Sequence, residues 1–121
     1  MSTVSKFLIS AMLLLGGMVS TADEIARRGR VIVGAVFEAK AGKEAELDKF
    51  LADHVTASWK DRGCIAFRVF KPLPKETRYF LFETWTDQAA LDAHFKRLKA
   101  EFWARFRELT VGELQRLKEL E

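Results

Sequence analysis

Two histidines occur in the 121 residues, His54 and His94. His54 stands beside Leu51 and Val55, and His94 between Leu91 and Leu98, so each belongs to an apolar stripe at helical spacing. An imidazole held against apolar surface stays uncharged near neutrality and is then a base of useful strength. Trp85 and Glu83 close an apolar stretch just before His94, while Arg68 interrupts another apolar stretch. Such an arginine snorkels, pairs with Glu83, or anchors an oxygen-rich substrate. The plainer roles are a core histidine with one satisfied hydrogen bond and a tryptophan that staples strand to helix. No cysteine joins the histidines and they are not four apart, so no shared metal site is expected. Cys64 is the single thiol; it rules out an intramolecular disulfide and is expected to behave as a small apolar residue.

These side chains need elements to hold them. The β-branched stretch 30–40 predicts a strand, with Gly34 marking a bulge, a close ligand or tight packing. A helix is predicted from Ala41-Gly42 to about Arg62, with Leu47, Leu51, His54, Val55 and Ser58 on one stripe and Gly63 closing it. Residues 64–71 form a second strand by strict alternation, with Ile65, Phe67 and Val69 on one face and Cys64, Ala66, Arg68 and Phe70 on the other. After a Pro-containing loop, Arg78 to Trp85 is a third strand, hairpin-paired to the second. Thr86 or Asp87 caps one helix, or two in sequence, running to about Leu109. The tail 110–121 has helical composition interrupted by Gly112. The order is β-α-β-β-α with a tail that is either a helix or a closing β. With the closing β it is the ferredoxin-like α+β arrangement, whose helices cover one sheet face. Apolar residues on both faces of strands two and three therefore predict a homodimer.

Residues 1–22 read as a cleavable signal peptide: Lys6, the uncharged run Phe7 to Val19, then Ser20-Thr21-Ala22 before Asp23. The run is short for a bilayer span, so no stable membrane span is expected after cleavage, and the mature protein is expected in the periplasm or secreted. Residues 23–29 read as a lead-in segment and 30–121 as one domain. All 17 acidic and 19 of the 20 basic residues follow the signal and are interspersed, which speaks against nucleic acid and anionic membranes as partners. Ten Phe, one of them Phe7 in the signal, and three Trp make the chain unusually aromatic, with a core suited to a flat apolar ligand or simply to dense packing.

The run Glu83 to His94, E-x-W-x-D-x-x-A-L-x-x-H, resembles the signature of the antibiotic biosynthesis monooxygenase domain family, small dimeric α+β barrels. Lys40-Ala41-Gly42-Lys43-Glu44 and Arg62-Gly63-Cys64-Ile65 resemble the family's leads into helix one and strand two. Gly112 to Glu121 resembles its closing strand, which implies strand against propensity and exchange of that strand between subunits. The resemblance implies oxidation of quinols, phenols or anthrones by oxygen, without metal, flavin or other cofactor. His94 would then be the proton acceptor or a donor to substrate oxygen, Trp85 the pocket wall, with Arg68, His54 and Glu83 toward the substrate. Haem-degrading relatives use an asparagine in the first strand; this chain contains none, which disfavours that activity. A non-catalytic small-ligand module and an isomerase of a small carbonyl compound are the alternatives.

Overall fold

The computed structural model describes residues 21–22, 29–73 and 77–120. The signal peptide and the lead-in therefore lie almost wholly outside the described residues. The elements are β1 (Val31–Ala39), α1 (Glu44–Trp59), β2 (Cys64–Phe70), β3 (Arg78–Trp85), α2 (Gln88–Arg97), α3 (Ala100–Leu109) and β4 (Thr110–Leu117). The strands form one antiparallel sheet of order β2-β3-β1-β4, with the ferredoxin-like topology expected from the element order. No helix among the described residues is long and apolar enough to cross a membrane.

β1 runs through the middle of the sheet, so both its edges are paired. Its alternate residues Val33, Ala35, Phe37 and Ala39 turn toward the helices and are buried. Gly34 faces the other way, and a Cβ there would lie 3.1 Å from Leu117 Cβ; tight strand packing explains the glycine. Two clusters fill the space under the helices. One gathers Phe37, Leu47, Leu51, Tyr79, Phe106 and Leu109; the other gathers Val33, Phe67, Trp85 and Leu91.

Several boundaries differ from the sequence-based expectation. α1 begins only at Glu44 because Gly42 takes φ +80°, and it ends at Trp59, so Lys60 and Arg62 lie in a turn and not in the helix. Gly63, at φ +84°, leads that turn into β2, where its carbonyl accepts from Thr86 N–H at 2.9 Å. Strict alternation in β2 also fails. The pairing slips between Cys64, opposite Trp85, and Ala66, opposite Thr84. This bulge turns Cys64 to the helix side, where it packs with the Trp85 cluster.

The second helical stretch is two helices. Asp87 caps α2 by accepting from Ala90 N–H at 2.8 Å, and extended backbone at Leu98 and Lys99 separates α2 from α3. α2 buries Leu91 and His94, and α3 buries Phe106 and Leu109.

β4 is a strand despite its helical composition. Thr110 follows Leu109 without a spacer, and Lys40 N–H donates to Leu109 O at 2.9 Å, which delivers the chain onto the β1 edge. Gly112, at φ +67°, sits in the irregularity between the Glu38–Val111 and Val36–Gln115 pairs. Within the single chain, β4 pairs with β1 at Thr110–Val111 and Gln115–Leu117. The sheet face away from the helices remains open, with Ile32 53%, Phe70 50% and Phe82 43% exposed.

Candidate functional site

Four elements bring their polar residues together beneath the helices. β3 alternates, so Tyr79, Leu81, Glu83 and Trp85 point to the helix side, and Glu83 is only 3% exposed. α2 lays His94 over them at 1% exposure. The Trp85 and His94 rings are 4.7 Å apart between centroids, and Trp85 Nε1–H donates to Glu83 Oε1 at 3.0 Å. His94 Nε2 lies 3.7 Å from the same oxygen. On the other side of the ring, His94 Nδ1 is 2.8 Å from Asp61 Oδ2, in the turn after α1. Arg97, one helical turn beyond His94, grips Asp61 with Nε to Oδ1 at 2.7 Å and Nη2 to Oδ2 at 2.9 Å.

His54 completes the arrangement from α1. Its ring centroid is 5.6 Å from that of His94, 5.0 Å from Phe67 and 4.5 Å from Phe102. Burial, with help from the charges of His94 and Arg97, brings its pKa from 6.5 down to about 4, so this ring is neutral at physiological pH. Burial also raises the Glu83 carboxyl above its ordinary value; the Trp85 bond and the charges of His94 and Arg116 oppose that shift without cancelling it. Burial pushes the Cys64 thiol up too, with Asp61 and Glu83 adding to the effect, which keeps it un-ionised and inert.

Both histidines, Glu83, Phe95, Leu98 and Phe102 line a cavity of about 40 Å³ between sheet and helices. That space is close to the ~30 Å³ share of a single water. Its lining includes no lysine or arginine. Among the described residues, no group of three or more His, Cys, Asp or Glu is arranged to hold a metal ion.

Of the residues singled out from sequence, His94, His54 and Glu83 meet at this cavity. Trp85 is fully buried behind the cavity, hydrogen-bonded to Glu83 and against the His94 ring. Arg68 lies away from this cavity. It is exposed and paired opposite Phe82 on the other face of the sheet, so it reaches neither Glu83 nor His94. A larger groove of about 700 Å³ between α1 and β2 contains Arg68 but neither histidine. Sequence reasoning missed Asp61 and Arg97. The i,i+3 spacing of His94 and Arg97 puts them on one helix face and calls for a shared carboxylate, but nothing local says which one.

The model of the antibiotic biosynthesis monooxygenase family matches residues 30–108. The chain belongs to this family. An uncharacterised protein of Synechocystis sp. is 23% identical over 97 residues, covering 79% of this chain and 66% of that protein. Among solved structures, a conserved protein of Methanosarcina mazei superposes with TM-score 0.65 at 22% identity, covering 73% of this chain and 88% of the other. Rv0793 of Mycobacterium tuberculosis gives 0.63 at 22% identity, covering 76% and 96%. SnoaB, a cofactor-independent oxygenase of Streptomyces nogalater, gives 0.62 at 17% identity, covering 77% and 95%. At these identities the structures establish a shared fold. The matched span contains every residue of the cavity except Leu114, on β4.

Proposed function

We propose that the protein is a cofactor-independent monooxygenase that oxidises a small, uncharged, electron-rich aromatic of quinol, phenol or anthrone type with O2. The observation that carries this reading is His94, buried, hydrogen-bonded at Nδ1 and with Nε2 3.7 Å from Glu83, both residues lining an aromatic cavity. A hydroquinone with O2 yields a hydroxyquinone and water, so the substrate supplies every electron and no reductant is needed. Removing a hydroxyl proton leaves an electron-rich phenolate, and His94 Nε2 is placed to accept that proton. The absence of lysine and arginine from the lining favours a neutral substrate, since a carboxylate or phosphate would meet Glu83 without a counter-ion. Ligand pockets usually offer ~300 Å³ or more, so this cavity must widen to admit such a substrate.

Oxygen uptake with a panel of hydroquinones and anthrones tests the reading. Since general acid–base catalysis contributes ~10²–10⁴-fold, His94→Ala should lower uptake at least about 100-fold, and equal rates would sink it. A tightly bound aromatic recovered with the protein, with no uptake in air, would mark a binding module instead. A second reading is favoured by the two imidazoles sharing one cavity: isomerisation of a small carbonyl compound, with one ring as base and the other as acid. Deuterium exchange into such a substrate, lost in His94→Ala, is its signature.

The open sheet face supports a homodimer in which Ile32, Phe70 and Phe82 meet a second copy. Phe82→Glu should halve the mass seen by light scattering; an unchanged mass rules that packing out. Residues 1–22 support export. Outside the cytoplasm reduced nicotinamide and flavin are scarce, which suits a reaction driven by its own substrate. A secreted form starting at Asp23 would bear this out, and one retaining Met1 would not.

A further inference from the structure

Asp61 reaches His94 from the turn after α1, far from it in sequence. Burial works to raise the Asp61 carboxyl, but the hydrogen bonds from Arg97 and His94 outweigh it and hold the group below the usual carboxylate range. An ionised carboxylate can only accept, so the nitrogen facing it must carry the hydrogen. Neutral His94 then bears that hydrogen on Nδ1 and its lone pair on Nε2, the nitrogen turned toward Glu83 and the cavity. Arg97 spends two donors on Asp61 and thereby holds the carboxylate in place as well as ionised.

We propose that Asp61 is the positioning residue of this site: it locks His94 in the Nδ1–H tautomer, so that Nε2 receives the substrate's hydroxyl proton. The assignment rests on the oxygenase reading above for the identity of the proton donor, but the tautomer itself does not. In the step concerned, the substrate O–H bond breaks, an Nε2–H bond forms, and the electron pair stays on the substrate oxygen. The imidazolium so formed lies between two carboxyl groups, Asp61 at Nδ1 and Glu83 beyond Nε2. The other charged or titratable groups around the ring are His54 from α1, Cys64 at the start of β2, Arg97 on α2 itself and Arg116 of β4, which acts on Glu83. A buried carboxylate orienting a basic histidine is an arrangement that recurs on unrelated folds.

Side-chain nitrogen NMR of 15N-labelled protein tests the assignment without requiring turnover, and His54→Phe separates the two histidine signals. In its neutral form, wild-type His94 should show a protonated Nδ1 and a bare Nε2. Asp61→Ala should lose that preference, and the isosteric Asp61→Asn should lose it too while keeping the fold. Because an oriented base contributes ~10²–10⁴-fold, kcat/KM should fall about 10- to 100-fold in both variants, mostly in kcat. An Nε2–H tautomer in the wild type, or an unchanged Nδ1–H tautomer in both variants, would overturn the proposal. If the wild-type protein consumes no oxygen, the oxygenase reading fails and the NMR result still decides the role of Asp61.

Discussion

The two ends of the helix-covered face are built from the same elements and pack very different material. At one end Phe37 stacks on Tyr79 with centroids 5.5 Å apart, Phe106 meets Phe37 edge-on at 5.0 Å, and Leu47 and Leu109 are fully buried. Tyr79 brings that end's polar group, and its hydroxyl is satisfied by Asp48 Oδ1 at 2.6 Å. At the other end Glu83, His94 and part of His54 are withdrawn from water among Phe67, Trp85 and Leu91. Burying such groups costs free energy even when they are hydrogen-bonded. A sheet that could have been filled with Phe and Leu throughout instead keeps a polar chain, Arg97–Asp61–His94, abutting Glu83–Trp85. The first end is packed as scaffold, and the second is the candidate site.

The contrast can be broken most severely at the dry end. Phe106→Ala removes a ring from the centre of that cluster, and denaturant unfolding should show a loss of about 3–5 kcal/mol, in the range usual for Phe→Ala in a core. A loss under about 1 kcal/mol would mean the two ends are not distinct.

The next effect is a pH effect at the polar end. His54 has its folded pKa depressed from 6.5 to about 4, so the unfolded chain binds the extra proton first as pH falls. Its contribution is therefore fully present above pH 6.5 and is lost progressively toward pH 4. Asp61, also depressed, works in the same direction at lower pH. His54→Phe should thus move the acid-unfolding midpoint down by about half a pH unit or more, and no movement would show that the ring is solvated.

The smallest effect is at Glu83. Its folded pKa is raised, so its contribution is favourable below the ordinary carboxyl range and is lost as pH rises through the folded value. Glu83→Gln, which cannot ionise, should leave stability at neutral pH unchanged or up to about 1 kcal/mol higher while lowering oxygen uptake. A loss of stability would place Glu83 with the scaffold.

Much of this was legible in the residues themselves. The strands β1 and β3, the stripe Leu47–Leu51–Ser58 and the Asp87 cap are local patterns, and each formed where expected. Where local pattern failed, a distant contact had intervened. The bulge at Ile65 swung Cys64 inward against Trp85, and pairing with β1 overrode the helical composition of residues 110–117. At the site, His94 and Glu83 could be picked out because they stand at fixed spacing in one short run. Arg68 could not be excluded until the pairing of β2 with β3 put it on the other face, and Asp61 could not be found until the turn after α1 closed over α2.

Sequence alone thus determined most of the elements and their order, because periodicity, caps and glycine positions act over a few residues. The run Glu83 to His94 pointed to the family. Tertiary structure decided which carboxylate meets which nitrogen of His94, and that the two histidines share one cavity. Those relations join α1, the following turn, β3 and α2. They depend on packing the helices on the sheet, which no local pattern encodes.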